Sequence, residues 1–127
     1  MKTRNWSVLL VLGIVTVGTA ASPAAADTPL HARVSYESGG GMVRGTADAD
    51  WGFATVNSLI LENDTVWADE GALLELEMSG GTFLRLADGS KADIRSLPPK
   101  ALVRGWAGSF YIQRVSRSAG TVDFETR

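Results

Sequence analysis

LLELEMSGGTFLRLA, residues 73–87, is the stretch that decides the fold. In its first half Leu74, Leu76 and Met78 alternate with Glu75 and Glu77. Successive side chains of an extended strand point to opposite faces, so one face is apolar and the other carries carboxylates. Ser79-Gly80-Gly81 offers residues free to take positive φ and reads as a hairpin turn. In the second half Leu84 and Leu86 alternate with Phe83 and Arg85. This register sets Glu75 or Glu77 opposite Arg85 on the solvent face, a cross-strand charge pair worth about 0.2–1 kcal/mol. The competing reading is a helix, since Glu and Leu favour one. The glycine pair and the strict alternation decide for strands.

The same period extends in both directions. LHARVSY predicts a strand from Leu30 to Tyr36, stopped by Gly39, Gly40 and Gly41. MVRG, residues 42–45, reads as a second strand closing a hairpin over those glycines. A polar loop leads to a short strand from Trp51 to Val56. Leu59, Ile60 and Leu61 form an apolar clasp, Asn63-Asp64 a turn, and Val66 and Trp67 the next strand. Beyond the central hairpin, Asp88-Gly89-Ser90 reads as a turn and KADIRSL as a strand ended by Pro98-Pro99. ALVRGWAGSFYIQRVS supplies further strands, with Phe110 and Ile112 on one face and Tyr111 and Gln113 on the other. Ser118-Ala119-Gly120 turns into TVDFET. No segment after residue 26 carries apolar residues at spacings of three and four over three turns. Eight or so short strands with frequent turns predict an all-β fold, a small antiparallel sandwich or roll.

The chain has 127 residues, and its first 26 read as a leader. Lys2 and Arg4 precede an apolar run from Val8 to Val17, which gives way to small residues ending in Ala24-Ala25-Ala26. This is the layout of a secretory signal peptide, a helix cleaved between Ala26 and Asp27. The rival, a retained anchor, needs about 20 apolar residues to span a bilayer, more than this run provides. Cleavage leaves 101 residues, enough for one modest core. There is no cysteine, which rules out disulfides, thiolate zinc sites, cysteine nucleophiles and a lipid-modified N-terminus. A cysteine-free exported product fits a bacterial route, with the protein periplasmic or secreted. In that setting Asn63-Asp64-Thr65 reads as a turn rather than a glycosylation site.

Charge divides the chain unevenly. Residues 27–93 carry 12 acids and 4 bases, whereas residues 94–127 carry 2 acids and 6 bases. The acidic majority argues against a nucleic-acid partner. The basic segment (Arg95, Lys100, Arg104, Arg114, Arg117 and Arg127) suits an acidic partner or a phospholipid surface. The favoured reading is that it complements the acidic half within the fold.

Catalytic chemistry finds no footing. His31 is the single histidine, and no serine and aspartate accompany it at a known spacing, so it reads as a surface strand residue. Acid pairs for glycoside hydrolysis carry no signal where acids are this numerous. Asp48 and Asp50, in TADADWG, lack the spaced ligands and final glutamate of a calcium loop. No catalytic, cofactor-binding or metal-ligating residue is assigned. The tryptophans carry more information. Trp106, between Gly105 and Gly108, is expected in the core, where glycines make room for a ring. Trp51, with Asp48 and Asp50 in the loop before it, forms the best partner-binding set.

Residues 50–94, DWGFATV through KADI, followed by LVRGWAGSFYIQRV, resemble the FecR-like domains of exported bacterial proteins. The likeness lies in the order of motifs: a Trp-containing strand, a leucine clasp, a turn before Asp64, the LLELE strand, LRLADGS, and the apolar GSFYIQRV strand. It covers about Val34 to Val115. Asn63 stands where the family usually has glycine, and Asn tolerates positive φ. In the founding member such a domain senses an outer-membrane transporter and a cytoplasmic segment controls a sigma factor. Only a leader precedes the domain here, so the sigma-regulating half is not carried over. The resemblance implies a non-catalytic interaction or sensing module for an envelope protein, with no stable membrane insertion after cleavage. A wall-glycan-binding module is the alternative. Family members usually continue through further strands. The final strand is therefore expected at a sheet edge, suited to self-association, unless the chain is a shortened member.

Overall fold

The computed structural model describes residues 30–79, 81–115 and 120–127. Alternation becomes strand throughout: β1 His31–Ser38, β2 Gly41–Arg44, β3 Gly52–Phe53, β4 Leu59–Leu61, β5 Thr65–Ala68, β6 Leu73–Met78, β7 Thr82–Ser96, β8 Lys100–Arg114 and β9 Thr121–Thr126. The fold is all-β, with no helix among the described residues. The leader and the Ala26–Asp27 junction lie outside those residues, as do Gly80 and Ser118-Ala119.

The nine strands form one curled sheet in the order β3-β2-β5-β7-β6-β1-β4, with β8 against β7 and β9 against β8. The long β7 organises it. Residues 82–87 pair with β6, residues 91–93 with β5, and most of its length with β8. Curling brings the inner faces together around Val34, Ile60, Val66, Leu74, Leu76, Leu84, Leu86, Ile94 and Val103, all buried. The core is therefore the apolar half of each alternating strand, and the roll is the form the expected architecture takes.

The central hairpin has the expected register. Leu76 faces Leu84, Leu74 faces Leu86, and Glu75 faces Arg85. Arg85 Nε pairs with Glu75 Oε2, and the Ser35 hydroxyl donates to Glu75 Oε1 at 2.6 Å. Burial works to raise the Glu75 carboxyl, but the Ser35 and Arg85 hydrogen bonds and the Arg85 charge outweigh it and hold it below its ordinary value. A depressed folded-state pKa contributes stability above the unfolded carboxylate pKa, and that contribution is lost as pH falls through the folded value. Glu75→Gln should therefore cost about 1 kcal/mol at neutral pH. Urea midpoints measured down to about pH 2 should converge with those of the parent. A difference that persists undiminished in acid would assign the role of Glu75 to packing.

Four expectations are corrected. β1 and β2 do not form a hairpin. β1 pairs with β4 and β6, while β2 pairs with β3 and β5. The glycine run carries the chain across the curl instead, and a Cβ at Gly41 would crowd the Ala54 carbonyl and Leu74 Cδ1 at 3.0 Å. The strand expected from Trp51 to Val56 shortens to Gly52–Phe53. Asp88-Gly89-Ser90 is a bulge inside β7 rather than a turn between strands, with Asp88 at φ 47° and Gly89 at φ 70°. Lastly, β9 runs parallel to β8, from Lys100↔Thr121 to Gly105↔Thr126, so the sheet is antiparallel except at this edge. β9 pairs with β8 alone, which places it at the expected edge. The Asn63 turn has the anticipated geometry, with φ 69°.

Candidate interaction site

After β2 the chain leaves the sheet in a tight loop closed by Asp48. Its Oδ2 accepts from the Gly45 N–H at 3.2 Å, and its own N–H donates to the Gly45 carbonyl at 3.1 Å. A Cβ at Gly45 would lie 2.7 Å from that carboxylate oxygen, so glycine is what lets the loop close. The loop stands over β4 and leaves a cleft of about 760 Å³. Val43, Trp51, Leu59 and Leu61 line its apolar side, and Asp48, Asp50, Glu62 and Asp64 supply carboxylates. The three residues singled out in the sequence, Trp51, Asp48 and Asp50, thus share one cleft. Leu59 and Leu61 point outward, and only Ile60 of the expected clasp is buried.

Asp64 is 8% exposed, and its Oδ2 accepts from the Leu61 N–H at 2.8 Å. Burial raises its carboxyl above the ordinary value, the Leu61 amide opposes the rise, and the charge of Asp48 adds to it. Trp51 is half-buried and separates the cleft from the outer face of the sheet. Its ring meets Trp67 edge-on at 5.8 Å, and the Arg44 guanidinium lies over it at 4.7 Å. His31 opens β1, exposed and opposite Leu61. Among the described residues no three His, Asp or Glu side chains gather as a metal-binding set.

Trp106 is not in the core. It is 38% exposed on the outer face, where its Nε1–H donates to Asp93 Oδ2 at 2.9 Å. Lys91 Nζ lies 5.6 Å from its ring and the Arg127 guanidinium 4.5 Å away. The glycine beside it makes room for other rings. A Cβ at Gly105 would meet Phe124 at 2.7 Å and Phe110 at 3.0 Å, and these two pack 4.9 Å apart on the inner face. The Gly-Trp pair signalled close approach, but on the face opposite the tryptophan.

Sequence reading missed Arg44, Trp67 and Lys91 as surface groups. Their signal was the alternation Met42/Val43, Trp67/Val66 and Lys91/Ala92, whose meaning depends on pairings between strands distant in sequence. The three ion pairs of the described residues are Arg33–Glu77, Arg85–Glu75 and Arg104–Glu125. Each joins residues of the same charge half, so among the described residues no ion pair couples the basic segment to the acidic one. Comparison of the chain with protein-family models, curated proteins and solved structures returns no match.

Proposed function

We propose that this chain is an exported, non-catalytic domain of the FecR-like kind, acting as an interaction or sensing module in the bacterial envelope. The leader supports export, and the order of motifs supports the family. The cleft that gathers Trp51, Asp48 and Asp50 beside Leu59 and Leu61 carries the reading. Its apolar floor and acidic rim suit a protein segment with an apolar side chain flanked by Lys or Arg. A wall glycan is the second reading, because a tryptophan beside carboxylates is also how sugars are held. Arg44 over the Trp51 ring occupies a face that a sugar would use, which favours the protein partner.

Intact mass of the exported product should correspond to residues 27–127. That product, immobilised, should capture an envelope protein from extract. Trp51→Ala should weaken capture about 30-fold if Trp51 is a central anchor. Asp48→Asn with Asp50→Asn should make the remaining capture insensitive to salt. Sedimentation with purified wall material that is lost on the same substitutions would transfer the site to glycan. Capture indifferent to all three would remove the cleft from the function.

A further inference from the structure

We propose that the outer face of β2, β5, β7 and β8 docks on an anionic phospholipid surface. This face adjoins the cleft at Trp51, but its argument does not depend on the function proposed for the cleft. Cross-strand pairing aligns Phe53, Met42, Trp67 and Lys91 in one row; on β8 Lys91 pairs with Ala107, and Trp106, in the register shift beside it, ends the row with its ring 5.6 Å from Lys91 Nζ. Val66 and Ala92, the neighbours of Trp67 and Lys91, are fully buried, so the row points outward. Phe53 is 82% exposed, and Trp67 and Trp106 are each 38% exposed. Five strands at about 4.8 Å make the row roughly 20 Å long.

Cations are interleaved with the rings. Arg44 lies over Trp51 at 4.7 Å, Lys91 lies 5.9 Å from Trp51 and 5.6 Å from Trp106, and Arg127 lies over Trp106 at 4.5 Å. None of the three enters an ion pair among the described residues. A ring attracts a cation without neutralising it. Asp93, the carboxylate within the row, already has one oxygen on Trp106 and the other on the Thr65 hydroxyl at 2.8 Å. The chain's formal net charge is −2, yet on this face three cations outside ion pairs stand against the carboxylate of Asp93, whose charge its neutral hydrogen-bond donors leave in place.

Half-exposed tryptophans carry an apolar body and a polar edge, which suits the depth of lipid headgroups, and Arg and Lys beside them meet the phosphates. The shape favours the same occupant. The core lies inside the curl, so the row is on the convex side. A deformable headgroup layer can meet a convex row, whereas a rigid acidic protein would need a matching groove.

The test is flotation of the exported product with phosphatidylglycerol-containing vesicles and with phosphatidylcholine vesicles. All variants share the parent's N-terminus, checked by mass, so an apolar leader cannot account for differences between them. Binding should require phosphatidylglycerol, weaken with salt, and shift tryptophan emission to the blue. Lys91→Gln and Arg127→Gln should each weaken it about fivefold. Phe53→Asp, on an exposed two-residue strand where folding is little at risk, should also weaken it. Arg33→Gln, which removes the same charge elsewhere, should leave it unchanged. Indifference to lipid charge, or equal losses from Arg33→Gln and Lys91→Gln, would overturn the proposal. So would binding to soluble polyglutamate as tight as to vesicles with no blue shift, which would assign the face to acidic protein.

Discussion

Leu76→Asp should unfold the domain, while Glu77→Ala, one residue further along, should leave it folded. Leu76 is fully buried in β6, between Val34 of β1 and Leu84 of β7. An aspartate there has apolar neighbours on both sides and no cation within the core. Burying it unpaired costs about 4 kcal/mol or more, comparable to the whole stability of a small domain. Glu77 faces the other way and pairs with Arg33 at the surface. Exposed pairs of that kind are worth at most about 1 kcal/mol. Urea melts followed by far-UV circular dichroism separate the two outcomes. Equal effects would mean that β6 is shifted by one residue, which exchanges the faces of every side chain in it.

That asymmetry was legible in the sequence because it is local. Strand faces follow from period two, and the hairpin of β6 and β7 follows from two alternating runs around a glycine turn. Burial of Leu74, Leu76, Leu84 and Leu86 needed nothing else. Most of the failures involve partners distant in sequence. Gly39 to Gly41 marked a change of direction, but only the position of Ala54 and Leu74 shows that β2 belongs to another part of the curl. The parallel pairing of β9 was illegible for the same reason, since alternation does not encode strand direction. Trp106 was misplaced because Gly105 serves Phe110 and Phe124 on the inner face. The cleft was half legible. Trp51, Asp48 and Asp50 are close in sequence, but Leu59, Leu61 and Asp64 reach it through β4 and the turn after it. The cation–tryptophan face, assembled from five strands, was legible only as isolated residues.

Gly108→Ala should be nearly as damaging as a charge in the core, although Gly108 is exposed. The reason is the seam where the bulge of β7 meets β8. Ser90, fully buried, accepts the Ser109 N–H on its Oγ at 2.7 Å, and the same hydroxyl lies against the Ala87 carbonyl. Gly108 passes over this serine with φ 102°, and a Cβ there would sit 2.5 Å from Ser90 Cα and 2.6 Å from its Cβ. The Ser90 hydroxyl oxygen would be nearer still, but turning it aside leaves Ser90 Cα and Cβ, which are fixed to the backbone, so the strands must part or the backbone must change its φ. Strain and lost pairing together should cost about 3–5 kcal/mol. Gly89→Ala supplies the control. Its φ is 70°, but nothing lies within 4 Å of the added carbon, so it reports the conformational cost alone, about 1–2 kcal/mol. The seam also sets the outer face, because Lys91 pairs with Ala107 directly beyond the bulge and Trp106 precedes it. Gly108→Ala should therefore change the near-UV signal of Trp106 under conditions where the far-UV spectrum is still that of a sheet. Equal costs for Gly108→Ala and Gly89→Ala in urea melts would mean that β7 and β8 are not in close contact at this seam.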